Sequence, residues 1–553
     1  MAAYPTRSTP GSGEPVVLHV TVRNAGAVES GGFDAEMTID CGNYDTLLTA
    51  GCPGIEPGQE AMLRFQWRLP SVVTLPATFT IGVSADPEHE TPDSWFANND
   101  ASAEVEIADA FPNESGWPVL TPGSIEAPPC LVDIDGDGDL EIVAVCGTFC
   151  VCAYEPDGDL VWMTMPPSPP DPPGAMGYSV PAAGSVCGGP EPEIVIDCLS
   201  HICILDGESG EILYSYGHAS AVQNHPHAVT LADVVREGPG EIARDEIAFI
   251  CGEDLYLMRV QGGELSLLDC EDVPPGLGGV TQGWISAQDL NGSAPIELIV
   301  SLTYAMYPSP PDPPVLRSMC CLYRYQSGQG SYYDNELWRD EELNAVPAVG
   351  GLAGQVRIAL PRMTSNYSHA PAYILDTGLV LQDSCQYNAS LDADHVLCCV
   401  MADWDSVVTG ADAIVSPAEN QVFAWRSDGQ ALSGWPGVFD LSDSYRPPFP
   451  ALGELDDEDQ FTNDDLVVAA RTGWITAFSS GGELLEDLGF PYMLPSEVKG
   501  GFCMADIDGD ERIELVFGTL DNYLHVWELG SCDGHFSPWP QCQHDAARTG
   551  VLE

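Results

Sequence analysis

The chain has 553 residues, enough for one small and one large domain. Its 18 Lys and Arg face 84 Asp and Glu, a formal charge of −66, and Lys499 is the single lysine. Such a surface excludes nucleic acid and anionic membrane as partners by repulsion and favours divalent cations, a saline habitat or a basic partner. In chain order, residues 1–108 read first as a small β-sandwich. Pro15–Asn24 and Phe33–Ile39 alternate apolar and polar residues, Ile55–Gly58 is a turn before Ala61–Trp67, and Phe79–Val83 and Ala103–Ile107 close the set. Short alternating strands between turn residues predict an Ig-like fold.

Val22-Arg-Asn-Ala-Gly26, Glu56-Pro-Gly58 and Ala97-Asn-Asn-Asp100 stand at matching places along this domain. With them the segment resembles a CARDB domain, which implies a bacterial, adhesion-related module. A linker is expected over 109–115 and a second domain over 116–553.

The second domain opens on Asp133-Ile-Asp-Gly-Asp-Gly-Asp-Leu-Glu141, which returns as Asp506-Ile-Asp-Gly-Asp-Glu-Arg-Ile-Glu514. Carboxylates at positions 1, 3, 5 and 9 of a glycine-containing loop suit a hard cation such as Ca²⁺, which takes six to eight oxygen ligands. The loop leads into a β-type run, which argues against an EF-hand. Weaker copies follow Asp289-Leu-Asn291-Gly-Ser293 to Glu297, Asp403-Trp-Asp405 to Asp412, Glu454-Leu-Asp456 to Asp465, and Asp233 to Asp245. Two further copies, near Gly184 and Gly350, have lost the acids. The anchors fall about 50 residues apart, which makes eight units. Unit one shows the internal grammar: Glu141–Val145, Cys150–Tyr154, the turn Pro156-Asp-Gly158, then Leu160–Trp162. About four short strands per unit predict propeller blades. The expected fold is all-β, an Ig-like sandwich followed by an eight-bladed β-propeller, with seven blades as the alternative. Trp-Pro recurs at 117, 435 and 539; the middle copy marks the outer strand or exit of a blade, the other two flank the repeat region, and its two ends are expected to meet in one blade.

Units one and eight resemble FG-GAP/VCBS repeats, the cation-binding propeller repeats of integrin α-subunits. The resemblance implies Asp133, Asp135, Asp137 and Glu141 as side-chain ligands with the Asp139 carbonyl. It implies Asp506, Asp508, Asp510 and Glu514 with the Arg512 carbonyl as a second set, and Asp289, Asn291, Ser293 and Glu297 as a third. Asp403, Asp405 and Asp412 are a further candidate set. Two to three Ca²⁺ sites are expected; Glu in place of the family's usual Asp at position 9 changes reach and denticity. Three Ca²⁺ would offset only six of the 66 negative charges, so the acidity belongs mostly to solvated surface.

Nineteen cysteines are many for a cytosolic chain. Cys41–Cys52 and Cys532–Cys542 are candidate disulfides, and Cys150 and Cys152 are read as facing opposite ways. His218, His225 and His227 cluster in sequence; such a cluster could bind metal or act as a base, but loop histidines are more often solvated, and they are read so here. Two copies of Pro-Ser-Pro-Pro-Asp-Pro-Pro, at 167–173 and 308–314, read as stiff solvent loops. No signal peptide or membrane run is present, and the chain reads as a mature extracellular or cell-surface protein. No catalytic set was found: Gly-x-Ser-x-Gly, His-Glu-x-x-His and a phosphate loop are missing. The expected function is calcium-stabilised adhesion, interaction or structure, with a protein or glycan ligand or self-association into a fibre. The alternative is a lyase-like polysaccharide enzyme on the same scaffold, which this charge would set against acidic glycans.

Overall fold

A computed structural model describes residues 2–552 except 6–14, 42–44, 69–76, 90, 92–98, 108–112, 148, 167–178, 199–200, 219–226, 236–243, 252–253, 273–279, 291–295, 307–314, 327–329, 340–345, 353–354, 362–371, 386–398, 403, 405–412, 419–420, 439–447, 454, 456–464, 470–472, 486–487, 489, 495, 511, 532–544 and 546–550. Both proline-rich copies therefore lie outside the described residues. The chain forms two compact units, Met1–Asn113 with Tyr492–Pro495, and Glu114–Pro491 with Ser496–Glu553. Every regular element named among the described residues is a strand.

In the first unit, a three-stranded sheet orders Ala2–Pro5, Pro15–Arg23 and Glu60–Arg68. A four-stranded sheet orders Asp45–Cys52, Phe33–Asp40, Ala77–Ala85 and Asp100–Ile107. Phe33, Ala35, Met37 and Ile39 turn inward while their neighbours face out, the period of two that a half-buried strand requires. They pack with Leu63, Phe65, Trp67, Phe79 and Ile81 in one core, where the Trp67 and Phe79 rings meet edge-on at 4.9 Å. Asn24 explains its own place in the motif. Its amide donates to the carbonyls of Val28 and Ile55, both at 2.7 Å, and its oxygen accepts from Gly26 N–H at 2.8 Å.

The strand Asp45–Cys52 is absent from the sequence reading and overturns the first disulfide. It pairs Cys52 with Phe33 and Asp45 with Asp40, so Cys41 and Cys52 stand at opposite ends of one hairpin. Eight residues of strand separate them by roughly 20 Å or more at ~3.3 Å per residue, far beyond the ~7 Å limit between bridged Cα atoms. Both are free thiols. Cys532 and Cys542 lie outside the described residues.

Among the described residues, the chain after Asn113 forms eight successive antiparallel sheets built on four strands each. Their first strands are Cys130–Val132, Ala182–Gly184, Thr230–Ala232, Val280–Gln288, Ala348–Leu352, Val400–Ala402, Ala451–Gly453 and Phe502–Ala505. We call the sheets one to eight in that order. Sheet eight takes its fourth strand from the start of the unit: Val119–Leu120 pairs with Leu524 and Tyr523. The first strands of successive sheets touch, and that of sheet eight touches that of sheet one. Sheet five gains a fifth strand, Val551–Leu552, parallel to its first.

The apolar runs follow from this stacking. Glu141–Cys146 is buried along its whole length because the strand is covered on both faces. Ile142 and Ala144 pack with Cys503, Val516 and Val526 of sheet eight, while Val143 and Val145 pack with Ile194 and Ile196 of sheet two. Outer strands lose this cover. In Leu160–Thr164 only Trp162 is buried, and its indole N–H reaches the Gly207 carbonyl in the next sheet's turn at 2.7 Å. Trp117, before the outer strand of sheet eight, donates likewise to Pro156 of sheet one at 2.6 Å. Trp435, before the outer strand of sheet six, donates to Ser480 of sheet seven at 3.0 Å. The Trp-Pro copies at 117 and 435 thus fasten one sheet to the next turn; the copy at 539 lies outside the described residues.

Candidate metal centre

One hydrogen bond organises the loops between first and second strands. The acid at or near the start of the second strand accepts from a backbone N–H inside the preceding loop. Glu141 takes Ile134 at 2.7 Å, Glu246 takes Val235 at 2.7 Å, and Glu297 takes Leu290 at 2.9 Å. Asp465 takes Leu455 at 3.0 Å and Glu514 takes Ile507 at 2.9 Å. Glu193 takes both Val186 and Cys187 at 2.9 Å, in a loop with no acid at the first, third or fifth position. The ninth-position acid is therefore first a latch that satisfies a buried amide. With one oxygen so used, Glu141 and Glu514 have one left to offer.

What faces that second oxygen differs from sheet to sheet. In sheet three the residue across the strand pair, one step beyond Ile247–Met258, is Arg259, whose Nε lies 3.3 Å from Glu246 Oε1. In sheet four it is Arg324, whose Nε donates to Glu297 Oε1 at 3.0 Å. In sheets one and eight the same position holds another acid, Glu155 and Glu528. Glu141 Oε1 is buried with no hydrogen-bond partner.

At these two sheets the carboxylates converge. One oxygen each from Asp133, Asp135 and Glu141 lie within 4.8 Å of one another, and Asp506, Asp508 and Glu514 repeat the arrangement. Loop geometry holds them: Gly136 N–H donates to Asp133 at 2.6 Å and Asp137 N–H to Asp135 at 3.1 Å. Gly509 N–H donates to Asp506 at 2.8 Å and Asp510 N–H to Asp508 at 3.2 Å. Gly136 and Gly509 have φ of 82° and 74°, a left-handed turn that glycine adopts without strain. Burial pushes Glu141 up to about 7, with Glu155, Asp135 and Asp137 adding repulsion against the Ile134 amide. Burial likewise pushes Glu514 up to about 8, with Asp508, Asp506 and Asp510 adding to it. Asp508 and Glu155 are raised too, first by burial and then by neighbouring carboxylates. An all-oxygen cluster with a buried unpartnered oxygen and mutual repulsion is the donor set that a hard divalent cation satisfies.

Not every expected ligand joins. Asp137 and Asp510 stay outside the groups of three and accept from Asp139 N–H at 3.0 Å and Arg512 N–H at 2.9 Å. The Arg512 side chain is half-exposed and pairs with Glu528. Of the third set, Asp289 and Glu297 are described, Glu297 already engaged by Arg324, while Asn291 and Ser293 lie outside the described residues. Asp403, Asp405 and Asp412 also lie outside them. The arginines were missed, although Arg259 is the one basic residue of its strand (Asp254–Gln261) and Arg324 follows the apolar run Met319–Tyr323, in a chain with only 18 Lys and Arg. Two other readings are corrected. Cys150 and Cys152 share a face with their Sγ atoms 4.0 Å apart, because residues two apart in a strand point the same way. His218 is not a solvated loop residue: its side chain is fully buried.

The CARDB family model matches residues 4–103. The N-terminal domain is a CARDB domain. This match stops short of the eight sheets that follow it. No curated protein matches the chain. Among solved structures, BBS1N in complex with ARL6DN, soaked with mercury, is 13% identical over 76% of this chain and 97% of that one, with a TM-score of 0.43. The same complex soaked with lead gives 14% identity over 75% and 98%, with a TM-score of 0.41. The V. cholerae biofilm matrix protein Bap1 gives 12% identity over 100% and 96%, with a TM-score of 0.33. Likeness this distant adds nothing to what the strands and side chains say about this chain.

Proposed function

We propose that this chain is a calcium-stabilised extracellular interaction protein, a CARDB domain followed by an eight-bladed propeller of FG-GAP/VCBS type. The observation that carries it is where the complete acid sets occur. They sit only in sheets one and eight among the described residues, the sheets joined where the unit's N-terminal strand pairs with its last sheet. The two loops also touch directly, Leu140 N–H donating to the Ile507 carbonyl at 2.8 Å. Asp133, Asp135 and Glu141 would hold one Ca²⁺, and Asp506, Asp508 and Glu514 a second. Bound there, the ions would neutralise the carboxylates and fix the loops across this seam. In sheets three and four Arg259 and Arg324 supply the positive charge instead. The cations are thus structural, and the binding surface is the acidic exterior together with the CARDB domain, an adhesion-related module. A neutral or basic glycan or a basic protein segment suits that surface.

The test is a glycan array and a protein-capture screen on the intact chain, with and without EGTA, beside sedimentation of the chain alone. The expected result is calcium-dependent capture of a neutral or basic ligand without turnover. Cleavage of a bound polysaccharide would overturn the reading.

A further inference from the structure

Three strand ends on the second unit bring together a thiol, an imidazole and a carboxylate that the cation loops do not use. Asp197 ends the second strand of sheet two (Glu193–Asp197), and Cys251 ends the second strand of sheet three (Glu246–Cys251). His218 follows the outer strand of sheet two, Ile212–Gly217. Its Nδ1 lies 3.0 Å from Cys251 Sγ and its Nε2 3.1 Å from Asp197 Oδ1. The acid loops open the second strands and this trio closes them, so the two features sit at opposite ends of those strands.

The surroundings fix the ring. The side chains of His218 and Asp197 are 0% and 2% exposed. The imidazole packs 5.3 Å from Phe249 and 6.5 Å from Tyr256, which stack on each other. Asp197 itself is held through its N–H, which donates to Ser179 Oγ at 3.1 Å. An acceptor carboxylate on Nε2 places the ring proton there and leaves the Nδ1 lone pair facing the thiol. Among the described residues, Tyr256 on the adjoining strand interacts with the thiol and also with Cys270, and Asp254 at the start of that strand pairs with Cys251 across the sheet. Thiol, oriented base and orienting acid in line is the arrangement that activates a sulfur nucleophile.

We propose that Cys251 is a reactive thiol, a modification site for small peroxides, with His218 as its base and Asp197 as the positioning residue. Imidazole Nδ1 takes the thiol proton. The thiolate attacks one peroxide oxygen, forming an S–O bond as the O–O bond breaks. The departing hydroxide leaves as water with the proton from Nδ1. Sulfur is oxidised by two electrons to the sulfenic acid and the peroxide is reduced by two. Cys251 is 6% exposed, against 0% for Cys320 and 1% for Cys399. Cys320 and Cys399 are the contrast: burial pushes both up to about 12, and they are expected to stay inert.

The experiment exposes the folded protein at pH 7 to hydrogen peroxide for a set time, then unfolds it in dimedone to trap the sulfenic acid, and follows each cysteine by peptide mass spectrometry. Cys251 is expected to label at least ~10-fold faster than Cys320, the margin an activated thiol holds over an inert buried one. His218→Gln is expected to remove that margin, and Asp197→Asn to move the rate–pH profile of Cys251 upward. Equal labelling of Cys251 and Cys320 in the wild-type protein overturns the proposal without reference to any variant. So does an unchanged rate in a His218→Gln protein that melts as the wild type does. If neither variant folds, the wild-type comparison decides.

Discussion

Chelating calcium with EGTA is expected to lower the melting temperature, and restoring it to recover the loss. A ligand that binds only the folded state stabilises it by about 2.7 kcal/mol per site at ~100-fold excess over Kd. Asp133→Ala and Asp506→Ala should each remove about half of the response, because each disables one of two groups. Arg324→Ala should leave it intact, since that guanidinium engages a loop acid in sheet four. The metal-free protein should also carry a pH signature. Glu141 and Glu514 rise from 4.5 to about 7 and about 8 in the folded state. Between those limits the folded state holds protons that the unfolded chain has released. Metal-free stability is therefore fully present near pH 4.5 and falls as pH rises toward 8, and calcium should flatten that fall. A melting temperature indifferent to EGTA in both the wild type and the variants would remove the metal assignment.

The second large effect concerns the indoles that fasten neighbouring sheets. Trp162→Ala and Trp117→Ala should each cost about 3–5 kcal/mol as buried aromatic truncations, and each also strands a carbonyl in the next sheet's turn. Gly434 stands before Trp435 with φ of 94°, and an added Cβ would lie 2.0 Å from the Gly481 carbonyl oxygen. Gly434→Ala should cost roughly 1–3 kcal/mol in backbone strain alone. Leu160→Ala is the control: it sits two residues from Trp162 on the same strand but is 51% exposed, and its effect should stay within about 0.5 kcal/mol. Denaturant melts decide the matter. A Trp162→Ala protein as stable as Leu160→Ala would mean that the indole does not hold the sheets together.

The sheets were legible because apolar runs buried on both faces and acid loops recur at a nearly constant period. Glu141 and Glu514 were legible as members of the loop, but their latch was not. Sequence spacing cannot tell which oxygen an amide takes, and the same bond survives around Glu193, where the first, third and fifth positions hold no acid. Asp45–Cys52 escaped because it lies at a sheet edge, exposed or half-exposed along nearly its whole length, so its alternating burial is not matched by alternating apolar and polar residues in Asp-Thr-Leu-Leu-Thr-Ala-Gly-Cys. That one missing strand made Cys41 and Cys52 look like the ends of a loop. Arg259 and Arg324 escaped, and His218 was legible only as one of a histidine cluster, for a different reason. Their partners come from other strands, and only the cross-strand register and the stacking of sheets two and three bring them together.

The seam is tested most directly by hydrogen–deuterium exchange with and without calcium. Without it, exchange should accelerate in loops 133–141 and 506–514 and where Tyr523 and Leu524 pair with Leu120 and Val119. The strands around Arg259 and Arg324 should exchange as before. No change at the seam, or an equal change in all eight sheets, would contradict calcium as the clasp between the first and last sheets.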